Sequence, residues 1–166
     1  MKSLLAVDLG LKTGLALYGE DGKLLWYRSK NFGTTTRLKR AVHSLLSEIP
    51  DAAQLIIEGG GRIAEIWEHG AGKRGIPVRR ITAEDWRKTI LFGRERRTGA
   101  MAKDRASHLA DAVIAWSGIS RRTAPRHDAA EAILIGLWGV IEQGWLGSLP
   151  PEIRHRGIPG PPRKTG

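Results

Sequence analysis

The chain has 166 residues, 41% of them apolar, which suits one domain with its own core. Its formal net charge of +10 and sequence pI of about 10.5 point to an anionic partner, nucleic acid first and a membrane surface second. With no cysteine, disulfides and thiolate metal sites are excluded and carboxylate ligation of hard cations stays open; no apolar run is long enough to span a bilayer.

The first ten residues, MKSLLAVDLG, hold an early lysine and an apolar stretch. That stretch is short, contains Asp8 and lacks a small-residue cleavage site, so a signal peptide is not expected and cytoplasm is the favoured compartment. Residues 4–9 read as a buried strand and 13–18 as a second, after the turn Gly10-Leu11-Lys12. Glu20-Asp21-Gly22 is a hairpin turn into a third strand at 23–29. Residues 34–48 carry Leu38, Val42, Leu45 and Leu46 at helical spacing, and Pro50 stops the pattern. AQLIIE, at 53–58, is a short apolar strand that ends in an acid and Gly59-Gly60-Gly61. A helix follows at 62–69, broken up by Gly70, Gly72 and Gly75. Its Ile63, Ile66 and Trp67 form a stripe that suits either a dimer interface or the side facing the sheet. Residues 76–81 are a fifth strand, and Thr82, with Asp85 three residues on, caps a short helix to 91.

The segment 93–99, GRERRTG, is a basic loop. Residues 100–116 form a helix with Ala106, Leu109, Ala110 and Val113 on one face. After a loop at 117–126, a long helix over 127–145 turns Ala130, Ile133, Leu134, Leu137, Trp138 and Ile141 inward. From residue 150 onward, prolines and glycines among basic residues predict an extended or disordered tail. There is no internal repeat, so the expectation is one domain at 1–149 and a flexible basic tail at 150–166. Three antiparallel strands followed by alternating helices and strands give an α/β fold: a mixed five-stranded sheet, three antiparallel then two parallel strands, with helices on both faces. The strand carrying Asp8 is its natural centre, with the strand ending at Glu58 parallel beside it through a right-handed crossover.

Asp8 is a charge inside an apolar strand, which is costly unless something pairs with it. Parallel neighbours can bring Glu58 beside it. Asp128 and Glu131, spaced i, i+3, project from one face of the last helix's first turn. Each acid alone has another explanation: Asp8 capping a turn near Gly10, Glu58 pairing with Arg62, the helix pair favouring a positive helix end. Together, four acids repel one another, and divalent cations relieve the repulsion. Two hard cations about 4 Å apart can activate water and stabilise the leaving oxygen of a phosphodiester. Gly10 and Gly14 also resemble the phosphate loop of actin-like ATPases, but those folds need two domains and a longer chain; a Walker loop and a dinucleotide fingerprint are both missing.

Taken in order, AVDLGLKTGLALY around Asp8, LIIEGGG around Glu58, RKTILFG with Lys88, AMAKDRA with Lys103 and HDAAEAILIG with Asp128 and Glu131 resemble the RuvC-type Holliday junction resolvases of the RNase H-like superfamily. The resemblance covers roughly residues 4–144. It implies that Asp8, Glu58, Asp128 and Glu131 bind two Mg²⁺ or Mn²⁺ ions, with Asp8 bridging them. It implies a homodimer making paired nicks in a four-way DNA junction, and Lys88 and Lys103 near the scissile phosphate, where Lys103 would act in catalysis. The family more often carries Asp at the last position, so Glu131 is one methylene longer; His127 is a reserve candidate beside it. The segment after Glu58 differs from the commoner family sequence, so no junction-core contact carries over. Nothing in the sequence identifies a partner helicase. An RNase H-like nuclease on RNA or RNA–DNA hybrids, and a junction-binding module that does not cut, are the alternatives.

Arg94, Arg96 and Arg97 lie between the elements carrying Lys88 and Lys103, and Arg105 continues the basic run; phosphate contact is the expected role, because arginine forks match phosphate oxygens. The tail's Arg154, Arg156, Arg163 and Lys164 would add salt-dependent affinity. Trp116 and Trp138 fit apolar helix faces. Trp67 and Trp86 sit in polar segments, where packing at a dimer contact is preferred over stacking on junction bases.

Overall fold

Strict alternation in β1 (Ser3–Asp8) decides which side of the sheet each residue takes. Leu4 and Ala6 enter one core and Leu5 and Val7 the other, and all four are buried, so β1 is covered on both faces. In the computed structural model, which describes residues 1–49, 51–91, 99–120, 125 and 127–156, β1 is the middle of a five-stranded sheet. β2 (Lys12–Gly19) and β3 (Leu24–Asn31) follow it as an antiparallel meander; β4 (Ala52–Glu58) and β5 (Val78–Ile81) run parallel on its other side, giving the order β3-β2-β1-β4-β5. This is the α/β sheet expected from the sequence, with three antiparallel strands and two parallel ones.

The helices divide between the faces. α1 (Thr35–Ser47) and α2 (Gly61–Gly72) cover the Leu5/Val7 side, burying Leu38, Val42, Leu45, Leu46, Ala64 and Trp67. The Thr34 hydroxyl caps α1 by accepting the Arg37 N–H at 3.2 Å. The Leu4/Ala6 side carries α3 (Ala83–Ile90), α4 (Gly99–Trp116), α5 (His127–Glu142) and α6 (Pro151–Arg156). At the start of α3 the Thr82 N–H donates to Asp85 Oδ2 at 2.7 Å, the reciprocal bond foreseen from the spacing. α5 is buried from Ala129 to Val140 because it lies directly on β1 and β2.

Several boundaries differ from expectation. α2 continues through Gly70, whose missing side chain is what α1 needs: a Cβ there would stand 2.8 Å from Val42 Cγ1. Gly75, with φ +66°, ends the turn that follows instead. β5 starts at Val78, since Pro77 has no N–H for the ladder, although its carbonyl accepts from Leu55 N at 2.9 Å. α5 stops at Glu142, and Gly144 (φ +75°) reverses the chain. The first residues expected in an extended tail form α6 instead: Pro151 suits the first helical position, and Ile153 is fully buried in the α3–α5 core. Residues 157–166 lie outside the described residues. Trp67 and Trp86 are both fully buried within the chain's own cores, which removes base stacking and dimer packing as roles for either. The stripe that includes Ile66 and Trp67 faces the sheet, and Trp138 is in the core as expected.

Candidate functional site

Asp8 extends the Leu4/Ala6 alternation by one step, so it faces the α5 side. Glu58 follows Ile56 in the same way, and the parallel register sets Asp8 opposite Glu58. Ser29, Gly14, Asp8, Glu58 and Ile81 therefore form one row across all five strands, at the C-terminal ends of β1 and β4. α5 starts over this row. A Cβ at Gly14 would lie 1.9 Å from the Asp128 carbonyl oxygen, so only glycine lets the helix start come down onto β2. That contact delivers Asp128 and Glu131 to the row.

One carboxylate oxygen from each of Asp8, Glu58 and Glu131 lies within 4.8 Å of the others, a spacing that can hold a metal ion. Asp128 stands beside this triad: its Oδ2 accepts the Ser29 hydroxyl at 2.6 Å, and its charge is felt at Asp8. Burial, then the charges of Glu131, Glu58 and Asp128, push the Asp8 carboxyl up from 3.8 to about 8. Burial and the Glu131 charge push Glu58 up from 4.5 to about 7, against the opposing influence of the Trp86 indole and the Arg87 guanidinium. Glu58 Oε2 is buried with no hydrogen-bond partner. A buried, unpartnered carboxylate oxygen among mutually repelling acids is what a hard cation would satisfy.

Arg87 from α3 donates to Glu131 Oε1 at 2.9 Å, and His127 Nε2 lies 3.3 Å from the same oxygen. His127 thus contacts the site rather than the helix-end backbone. Arg87 and Ser29 are absent from the sequence expectation. Ser29 was findable only through register, opposite Gly14, and Arg87 only through the docking of α3, since neither stands out within its own segment. Lys88 and Lys103 are exposed on α3 and α4. Arg105, expected among the nucleic-acid contacts, is instead 8% exposed: it lies one residue before Ala106, on the side of α4 that packs inward. Arg94, Arg96 and Arg97 lie outside the described residues.

No protein-family model matches the chain, and no curated protein does. Solved structures do. Thermus thermophilus RuvC matches with a TM-score of 0.62 at 15% identity, over 86% of this chain and 96% of that one. The chain has the RuvC fold. Thermus thermophilus RuvC in complex with Holliday junction substrate matches with a TM-score of 0.60 at 14% identity, covering 87% of this chain and 96% of that chain. At such identity the likeness to RuvC is one of architecture. No described helix is long and apolar enough to cross a membrane.

Proposed function

We propose that the chain is a structure-selective endonuclease that resolves four-way DNA junctions by paired nicks, as a homodimer using two Mg²⁺ or Mn²⁺ ions per site. The convergence of Asp8, Glu58 and Glu131 within 4.8 Å carries this reading. It sits in a fold like that of a protein solved in complex with Holliday junction substrate, and the basic charge suits a polyanion. Bound there, divalent ions supply the positive charge that lowers the pKa of water and offsets charge building on the phosphodiester.

The chain's own groups divide the remaining work. Asp8 and Glu58, fixed side by side on adjacent strands, present preorganised oxygens. Arg87 and His127 hold Oε1 of Glu131, which fixes the longer side chain this position carries. Ser29 does the same for Asp128 by donating to Oδ2. Lys103 and Lys88 lie on helices of the same face and serve to neutralise the scissile phosphate, with Arg94, Arg96 and Arg97 contacting the flanking backbone.

The decisive experiment incubates the protein, with Mg²⁺ or Mn²⁺, with a four-way junction, a plain duplex and an RNA–DNA hybrid. Cleavage of the junction above the others is expected. Asp8→Asn should lower cleavage by at least about 1,000-fold while leaving junction binding near wild type. Preferential cutting of the hybrid would reassign the protein to ribonuclease action, and binding without cutting under either metal would make it a non-catalytic junction binder.

A further inference from the structure

The face of the sheet opposite the acids carries a second concentration of charge. Between α1 and α2 lies a cavity of about 440 Å³, open to solvent and within the size range of small-ligand sites. Lys39 reaches it from α1, Arg62 and Lys73 from α2 and the residue after it, and Arg74 from the following turn. Glu65 is the one acid in the lining.

Some of the molecule's arginines are paired with acids and these cations are not. Arg28, Arg79, Arg80 and Arg87 each meet a carboxylate, Glu48, Glu142, Glu68 and Glu131 respectively. Among the described residues, Lys39, Arg62, Lys73 and Arg74 meet none. Arg74 is nonetheless fixed. Its Nη1 donates to the Gly70 carbonyl at 3.2 Å, and its Nη2 donates to the His43 carbonyl at 3.0 Å and to Ser47 Oγ at 2.8 Å. Neutral acceptors thus anchor the guanidinium between the two helices and leave its charge uncompensated. Four cations against the single acid Glu65 around a concavity focus a positive potential there. The close contact of α1 with Gly70 keeps the two walls at a fixed separation.

We infer that this cavity is a second anion site that binds phosphoryl groups, separate from the acid row and across the sheet from it. The chemistry recognised is the phosphoryl oxyanion, which lysine and arginine donors match. A free polyphosphate and the backbone of a DNA arm remote from the acids offer the same group. The inference does not depend on the acids cutting DNA.

The test uses the full chain carrying Asp8→Asn, in EDTA, so that neither cleavage nor metal contributes. Inorganic triphosphate is titrated by calorimetry, and junction DNA by fluorescence anisotropy across a salt series. Lys39→Ala/Lys73→Ala removes two exposed, unpaired cations and should keep the melting temperature. Lys2→Ala/Lys23→Ala removes the same charge from exposed positions that do not line the cavity. If the source is a free ligand, triphosphate binds and the cavity variant weakens it by roughly tenfold. If it is DNA, the cavity variant weakens the junction by a similar factor and the log–log salt slope falls by about 2. In either case the control variant loses much less, and Glu65→Gln tightens binding. Equal losses in the cavity and control variants, or no loss in either arm, overturn the proposal.

Discussion

Asp8 is held in a place where its own charge is unwelcome. Its carboxyl titrates at about 8 in the fold and near 3.8 in an unfolded chain, so between those values the folded state binds the extra proton. A raised carboxylate of this kind leaves stability intact below the unfolded value and removes it as pH rises through about 8. Glu58, raised to about 7, acts in the same direction. In EDTA the protein should therefore melt at a lower temperature at pH 8.5 than at pH 5, by an amount on the order of a few kcal/mol in stability. Asp8→Asn should flatten that slope, and Mg²⁺ added at pH 8.5 should raise the melting temperature of the wild type more than that of the variant. An unchanged pH profile in Asp8→Asn would mean that Asp8 is not the strained group. Asp8 was legible in the sequence because an apolar strand makes a lone charge conspicuous, and Asp128 with Glu131 because i, i+3 spacing shares a helix face. Arg105 misled because a run of basic residues carries no inside or outside until the helix packs, and α4 turns that one inward.

At the scale of elements, α5 is the piece on which the site depends, and glycines let it sit where it does. A Cβ at Gly136 would stand 2.2 Å from Tyr18 Cε2, and one at Gly139 would stand 2.5 Å from Ile56 Cδ1. The Tyr18 hydroxyl, fully buried, donates to the Ile133 carbonyl and ties β2 to the same helix. Gly136→Ala should consequently cost about 1–3 kcal/mol, because the aromatic ring and the strand beneath it have nowhere to go. Gly72→Ala is the natural comparison: it lies in α2 with nothing within 4 Å, so the added methyl should be neutral or stabilising by up to about 1 kcal/mol. Urea unfolding of both variants reads the difference, and equal costs would contradict the packing account. The long helix itself was evident from its apolar spacing. Its glycine notches were not, because a glycine in a helix says nothing about which neighbour occupies the missing side chain's space. The same limit applies to Gly70, which the sequence presents as a helix breaker and the fold uses as a contact with α1, and to the proline-rich segment that hides α6, whose Ile153 is ordered by a distant core.

The molecule as a whole presents an acid row, a basic cavity on the far side and a strongly positive balance of charge. Among the described residues the triad Asp8, Glu58 and Glu131 occurs once per chain. Two nicks within one binding event are most simply made by two copies, one for each strand, and twofold symmetry in the substrate suits twofold symmetry in the protein. The proposed dimer should have twice the 18.2 kDa chain mass in sedimentation equilibrium at micromolar concentration. A stronger test uses a supercoiled plasmid with an extruded cruciform, on which paired nicks give a linear product and a single nick gives an open circle. Pre-equilibrated wild type and Asp8→Asn, mixed one to one, should exchange into mixed dimers that cut once. Open circles should then accumulate at the expense of linear product, beyond what simple twofold dilution of the wild type yields. If the mixture instead behaves as diluted wild type, with linear product dominant, either subunits do not exchange or one chain makes both cuts. Co-refolding the two chains before the assay decides between these, because co-refolded dimers must form at random. Random pairing leaves about a quarter of the dimers wild type on both sides, so linear product should fall to about a quarter of the undiluted rate; a rate that stays near one half after co-refolding would rule out one active site per subunit as the basis of the paired nicks.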